Sequence, residues 1–384
     1  MLVELESKSW QEPISGPWLR PSDLDRYFDK WSGYEDFEIN EVGRSEEGRA
    51  LRSISWGDGD TTILLWSQMH GNEATASLAI IDLIEFFHYL GLNHDWELNK
   101  LSSKLRLIFI PMLNPDGSEL YTRRNALLVD MNRDAIRQQS QEMQAFFRFI
   151  KAVKPDWAFN LHDQRSIFSV GKELNCATLS YLAPSPDKGR TVSTSRQKAM
   201  KLVAAMHQQT KHLLPGHFGK YTDEFYPRAV GDKLMASGIP CILLEAGTYP
   251  LDPSREKARN LIFKNLVFAL DAIVSGAYAQ LELSDYDAIP ENEQLLRDII
   301  FRDVIFRGQK CDIALQEKQL VTKDKKWQQY FFLDDLGDLV HLQGIKEFEG
   351  GSIELIKPLA LMEKVNFKYS NQSETVVFID GSIA

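Results

Sequence analysis

Five short polar clusters in this chain carry side chains able to do hydrolytic chemistry. In Gln68-Met-His70-Gly-Asn-Glu73 an imidazole and a carboxylate stand three residues apart, so one turn can aim both at a single point. Two borderline-hard donors of that kind suit zinc. Phe159-Asn-Leu-His162-Asp163 ends an apolar run abruptly in a second histidine, and Leu243-Leu-Glu245-Ala-Gly247 ends another in a single carboxylate. A glutamate in such surroundings must either pair or have a raised pKa, which a general base needs. The segment from Arg123 through Asn125 and Asp130 to Asn132, Arg133 and Asp134 flanks an apolar stretch with Arg/Asn pairs. Guanidinium groups held near a strand end bind anions or carboxylates. Asn114-Pro-Asp-Gly117 is by itself only a turn. Each cluster also has a plain reading: a capped turn histidine, a solvated loop, a structural histidine, a buried ion pair.

The surrounding pattern supplies elements to position them. Thr61-Thr-Ile-Leu-Leu-Trp-Ser, Leu105-Arg-Leu-Ile-Phe-Ile, Trp157-Ala-Phe-Asn-Leu and Cys241-Ile-Leu-Leu-Glu read as buried strands. Ala79, Ile80, Leu83, Ile84 and Phe87 recur at helical spacing over Thr75 to Leu90, with Gly91 as the stop, and Gln141 to Val153 and Arg255 to Ala277 read as further helices. Strands alternating with helices predict an α/β domain with a mixed, largely parallel sheet. In such a sheet ligands lie beyond the strand ends, which is where the clusters fall. After about Ala279 the pattern changes to short β-like runs. Residues 281–384 hold 12 Lys/Arg and 19 Asp/Glu, a charge of −7 against −3 for the rest. The expected organisation is a catalytic domain over 1–280 and a small β-rich domain over 281–384.

Composition narrows the function classes. The 384 residues are 43% hydrophobic and 26% charged, values of an ordinary globular protein. The formal charge of −10, with no Lys/Arg cluster, argues against nucleic acid and anionic membrane as partners. Three distant cysteines, Cys176, Cys241 and Cys311, form neither a disulfide framework nor a CxxC site. The greasy window from Leu261 to Val274 is broken by Lys264, Asn265 and Asp271, and the opening Met-Leu-Val-Glu-Leu-Glu-Ser lacks the features of a signal peptide. A cytoplasmic protein is the expectation; oligomeric state is not legible.

The order and spacing of the clusters resemble the zinc carboxypeptidases, peptidase family M14. The resemblance starts at Gly43-Arg-Ser45-Glu-Glu-Gly48-Arg49 and continues through His70-x-x-Glu73 and Asn114-Pro-Asp-Gly117. The stretch Arg123-x-Asn125 to Val129-Asp130-Met-Asn132-Arg133 follows, then His162 and Glu245, covering roughly residues 40–250. It implies that His70, Glu73 and His162 hold one Zn²⁺ per chain and leave a fourth position for water. Glu245 would take the proton from that water, and Arg123 would stabilise the developing oxyanion. Asn132 and Arg133 would clamp the free carboxylate of a small peptide, making the enzyme an exopeptidase. The family also brings a tyrosine over the substrate. Tyr221 and Tyr226 are both candidates, Tyr226 nearer the family position if Asp232 and Gly238 are anchors, and Arg228 is a further candidate contact. Gly231, in the place of the specificity-pocket floor, offers no charge.

Three departures stand out. Leu128 replaces a usual glycine, so the backbone ahead of Asp130 is expected to be set differently. Asp134 is placed to tie up Arg133. The short gap between Glu73 and His162 implies a compact bacterial-type member that trims small intracellular peptides, including those of cell-wall turnover. The alternative is a related amidohydrolase of N-acyl amino acids, similar to aspartoacylase and succinylglutamate desuccinylase, which His70-Gly-Asn-Glu73 fits equally well. Asn114-Pro-Asp-Gly117 and the Arg123-x-Asn125 spacing favour the peptidase.

Overall fold

The computed structural model describes residues 12–92 and 100–384. The opening stretch read for a signal lies outside them. The chain forms two units, one of residues 1–164 and 177–292, the other of 165–176 and 293–384.

The first unit is built on a sheet of eight strands: β1 (Phe37–Arg44), β2 (Ala50–Trp56), β3 (Thr61–Trp66), β4 (Leu105–Ile110), β5 (Trp157–Asp163), β8 (Leu179–Leu182), β9 (Phe218–Lys220) and β10 (Cys241–Ala246). β6 (Ser169–Val170) and β7 (Glu173–Cys176) belong to the second unit. The order in the sheet is β1-β2-β4-β3-β5-β10-β8-β9. β4, β3, β5 and β10 run parallel, while β1, β2 and β8 join antiparallel. The four strands expected from apolar runs are therefore the parallel centre, where both faces are covered and alternation disappears.

Helix Thr75–Leu92 buries Ile80, Leu83, Ile84 and Phe87, and continues through Gly91 for one residue more than its glycine signal allows. Its apolarity is that of a membrane span by length and composition, but most of it is buried against the core. A buried ion pair ties it to helix Glu256–Ser275: Arg259 Nη2 lies 2.5 Å from Asp82 Oδ1, both side chains almost wholly enclosed. Despite that partner, burial pushes the Asp82 carboxyl up to about 6. Removing one member of such a pair costs about 3–5 kcal/mol.

The boundary between the units falls at 292/293, beyond the expected 280/281. The short helix Leu283–Asp287 explains why the first unit extends further. Tyr286 is buried, its hydroxyl accepts from the Ala183 amide (3.1 Å), and Ile289 joins the same core.

The second unit is β-rich. Its long strands Leu296–Phe306, Gln309–Val321 and Trp327–Gly337 form an antiparallel meander. Phe301, Phe331, Phe348, Phe367, Tyr369 and Phe378 fill its core.

Candidate active site

The site is assembled where the parallel strands end. Beyond β3 the chain passes Gln68, in a left-handed conformation (φ 45°) and fully buried, and turns at His70. A side chain on Gly71 would run into Gly117, its Cβ only 2.0 Å from the Gly117 carbonyl carbon. The Asn114–Gly117 motif, read from sequence as a turn, is thus a buried buttress. Asn114 Nδ2 donates to the Met69 carbonyl (3.2 Å), while its Oδ1 accepts from Gly117 N and caps helix Pro115–Glu119. Asp116 in turn accepts from Ser45 Oγ (2.7 Å), Glu47 N (2.9 Å) and Arg49 Nη1 (2.6 Å). That clamp gives Ser45 and Arg49 a physical role: they neutralise and saturate a buried carboxylate.

His70, Glu73 and His162 come together as the sequence suggested. Their donor atoms lie within 4.8 Å of one another, and all three side chains are buried. Glu73 sits between the histidines: Oε1 is 2.8 Å from His70 Nδ1 and Oε2 is 2.8 Å from His162 Nδ1. The Asp163 amide also donates to Oε2 (3.2 Å). Burial alone would protonate Glu73, yet the adjoining His70 and His162 hold it well below the usual carboxylate range. The histidines differ. His70 Nε2 lies 3.2 Å from Asp130 Oδ1, and although burial lowers its pKa, Glu73 and Asp130 raise it overall. For His162 burial prevails and the pKa falls, and its buried Nε2 has no hydrogen-bond partner among the described residues.

Glu245 stands on β10 in register with His162 on β5, so both side chains project from the same face of the sheet. Burial, then the charges of Glu73 and Asp163, push its carboxyl well above the ordinary range. Gly247 is forced behind it, since a Cβ there would lie 1.9 Å from the Ala177 carbonyl oxygen.

Arg123 is half-exposed and bridges the cluster, Nε donating to Asp130 Oδ2 (3.1 Å) and Nη1 to Glu73 Oε1 (3.2 Å). Asp130 was not singled out from the sequence beyond its place in the motif, yet it braces both His70 and Arg123. Burial opposes its ionisation, but His70, Arg123 and Arg133 hold it well below the usual range. Asp163, Arg255 and Thr75 form another brace that sequence did not reveal: Asp163 Oδ2 lies 2.9 Å from Arg255 Nη1 and accepts from Thr75 Oγ1 at 2.7 Å.

The remaining predicted residues form a second, more open half. Asn132 Oδ1 accepts from Val230 N (2.9 Å), pinning the start of helix Val230–Ala236. Arg133 donates to the Asn132 carbonyl (2.7 Å) and its guanidinium lies 5.2 Å over the Tyr226 ring. The expectation that Asp134 ties up Arg133 is not met. Its carboxylate faces away and accepts from Gln139 N, Ser140 N and Ser140 Oγ. Tyr226 is exposed and donates from its hydroxyl to Glu224 (2.9 Å). Tyr221 is anchored by its amide to the Tyr181 carbonyl (2.8 Å). Arg228 is exposed, and its carbonyl accepts from Ala135 N (3.2 Å). Leu128, where the family usually has glycine, takes a left-handed backbone with φ 61°. Asn125 Oδ1 enforces that turn by accepting from Leu127 N and Val129 N.

Residues 29–149 match the Zinc carboxypeptidase family model, Peptidase_M14. The curated Carboxypeptidase N catalytic chain of Homo sapiens is 30% identical over 115 residues, 25% of this chain and 25% of that protein. Probable carboxypeptidase 2 of Trichophyton verrucosum is 27% identical over 143 residues, covering 35% of this chain and 26% of that one. The chain therefore spans about a quarter of the length of these curated relatives. Among solved structures, a metallo-carboxypeptidase from Burkholderia cenocepacia superposes with TM-score 0.53 at 16% identity, over 67% of this chain and 69% of its own. The metallo-carboxypeptidase from Pseudomonas aeruginosa, in complex with (2-guanidinoethylmercapto)succinic acid, does so with TM-score 0.54 at 18% identity, over 68% and 70%. The first unit has the zinc carboxypeptidase fold. The donor set of this carboxypeptidase-like unit fits the ion: two imidazole nitrogens and one carboxylate, buried and convergent, match the three protein ligands of catalytic zinc. A carboxylate behind His70 completes the outer support such ligands need.

Proposed function

We propose that the protein is a zinc-dependent metallocarboxypeptidase that removes the terminal residue of small peptides. The observation that carries this is the convergence of His70 Nδ1, Glu73 and His162 Nδ1, with Glu245 in register beside them. Held by His70, Glu73 and His162, zinc would supply Lewis acidity to a substrate carbonyl and to water.

The chain's own residues do the rest. Glu245, whose environment raises its proton affinity, accepts a proton from the attacking water and returns it to the leaving amine. Arg123, half-exposed beside Glu73 and Asp130, turns a free Nη toward the developing oxyanion, a contribution of roughly 2.7–4 kcal/mol for a well-placed donor. Asn132 and Arg133 receive the α-carboxylate, a planar anion matched by a guanidinium fork. Tyr226, stacked on Arg133, closes over the substrate and excludes water.

Mass spectrometry of the zinc-loaded protein tests this with free and amidated peptides, γ-D-glutamyl-diaminopimelate peptides, and N-acetyl and N-succinyl amino acids. Loss of single C-terminal residues from free but not amidated peptides is expected, with a Glu245→Gln control inactive. Cleavage of N-acyl amino acids alone would replace this reading by the amidohydrolase.

A further inference from the structure

Residues 67–71, which lead from β3 through His70 toward Glu73, are all buried, so each of their carbonyls needs a donor. Four find one on the backbone or side chain of a neighbouring turn. Ser67 accepts from Leu113 N (3.1 Å), Gln68 from Asn114 N (2.9 Å), Met69 from Asn114 Nδ2 (3.2 Å) and His70 from Glu73 N (3.1 Å). The fifth, Gly71, stands between the two ligands and accepts from Gln68 Nε2 (3.1 Å). Gln68 is fully buried in a left-handed conformation, φ 45°. A non-glycine residue persists there only where its surroundings over-determine it.

Those surroundings reach beyond the turn. The same amide nitrogen faces Ser118 Oγ (3.0 Å) and the Leu19 carbonyl (3.4 Å). Carbonyls only accept, so the nitrogen of the amide must be the atom that faces Gly71 and Leu19. Ser118 closes the triangle by donating from Oγ to the Leu19 carbonyl. Leu19 belongs to a strap, residues 12–20, that is fixed at both ends. Near Leu19, Trp18 Nε1 donates to the Ser118 carbonyl (2.8 Å). At the other end Arg259 donates to the carbonyls of Ile14 (2.7 Å) and Glu12 (3.2 Å), and Asp82 Oδ1 accepts from Glu12 N (2.9 Å). The buried Asp82–Arg259 pair therefore does more than join two helices. It anchors a strap whose far end is hydrogen-bonded to the metal turn.

We propose that Gln68 is a positioning residue for the metal ligands, and that the strap acts through it. The strap fixes the Gln68 amide, the amide fixes the Gly71 carbonyl, and that peptide sets the aim of His70 and Glu73. This rests on the zinc reading of His70, Glu73 and His162. Hydrogen bonds that orient ligands from outside are worth about 10- to 100-fold in metal affinity.

Chelator competition and the visible spectrum of cobalt-substituted, full-length protein test this without any substrate. Gln68→Met keeps the side-chain length and removes the donor. Zinc affinity should fall by about 10- to 100-fold, and the cobalt bands should shift with the ligand geometry. Trp18→Phe loses one hydrogen bond at the strap and should weaken zinc by about 5-fold. Made on top of Gln68→Met, the same change should have no further effect on zinc, because its route to the ligands is already cut. Circular dichroism of the apoproteins identifies the folded variants. If Gln68→Met does not fold, Ser118→Ala, which removes one corner of the triangle, takes its place with the same expectations. Parental zinc affinity and cobalt spectrum in the folded variant, or a Trp18→Phe effect of equal size in both backgrounds, overturns the proposal. A parent that binds no zinc overturns the metal reading and this inference with it, whereas zinc binding without peptide cleavage overturns the peptidase alone.

Discussion

The two halves of the candidate site are built on opposite plans. On the metal side the three candidate ligands are buried: Glu73 is gripped by two histidines and a backbone amide, and Asp130 braces His70. Asn114 and Asp116 stiffen the loop beneath. On the other side Tyr226 and Arg228 are exposed, and the loop from 226 to 230 is held by Asp232 Oδ1, Asn132 Oδ1, the Ala135 amide and the Arg133 guanidinium stacked on Tyr226. The candidate catalytic groups therefore sit at strand ends, and the candidate recognition groups on an exposed loop.

This contrast can be broken first at its most demanding point. Glu245→Gln keeps the shape and removes the base, so kcat/KM should fall by about 10³-fold, some 4 kcal/mol, with zinc content unchanged. Substantial residual turnover would mean the base lies elsewhere. Next, Asp116→Ala leaves Ser45 Oγ, Glu47 N and the half-buried Arg49 without their acceptor. A stability loss of about 3 kcal/mol by denaturant titration is expected; a loss under about 0.5 kcal/mol would show the buttress to be dispensable. Asp130→Asn retains an acceptor but weakens the grip on His70 Nε2. Chelator competition should then show zinc binding weaker by about 10- to 100-fold, and an unchanged affinity would show His70 to be held by its turn alone.

The same contrast decides how much could be read in advance. The four central strands are legible because parallel strands covered on both faces are apolar throughout, and their ends carry His70, Glu73, His162 and Glu245. Asp130 was less visible, since its motif marks it but only the folded turn brings its carboxylate to His70. The Asp163–Arg255 brace joins residues far apart in sequence, and no local pattern announces it. Asp134 shows the limit of adjacency: a residue next to Arg133 was expected to pair with it, but the turn directs consecutive side chains apart and the carboxylate caps the following segment instead. The stack of Tyr226 on Arg133 is likewise a tertiary contact that no local pattern announces. The domain boundary was misplaced for a related reason, because Tyr286 and Ile289 lie in a segment whose composition matches the β-rich unit while their packing belongs to the other.

The substrate side can be probed through Asp232, whose buried carboxyl is pushed up to about 6. For an acid whose folded pKa lies above its unfolded value near 3.9, the folded protein takes up the proton first as pH falls. Above pH 6 the buried charge costs stability, and that cost disappears between about pH 6 and pH 4. Asp232→Asn keeps an oxygen for the Tyr226 amide without the charge. It should be more stable than the parent by about 1–2 kcal/mol at pH 7, with the difference gone by pH 4. Denaturant melts at pH 4, 5.5 and 7 measure this. A difference constant with pH would place the carboxylate in a solvated setting and make the loop looser than its contacts indicate.

The smallest effect falls on the hinge between the two halves. Leu128 occupies a left-handed conformation with its side chain largely in solvent, so it bears the strain of a non-glycine residue at positive φ without compensating burial. Relief of that strain is worth about 1–2 kcal/mol, and the extra backbone freedom of glycine in the unfolded chain takes back about 0.5–1 kcal/mol. Leu128→Gly should therefore stabilise by about 0.5–1 kcal/mol, seen as a small rise in denaturant midpoint at unchanged slope. Its effect on turnover separates two explanations for the leucine. If kcat/KM for a small peptide is unaltered, the Asn125 hydrogen bonds to Leu127 and Val129 suffice to hold the turn, and Leu128 is tolerated strain. If kcat/KM falls while stability rises, the stiff left-handed leucine is what keeps Asp130 and Arg133 in place, and the rigid plan of the metal side extends one residue into the half that binds substrate.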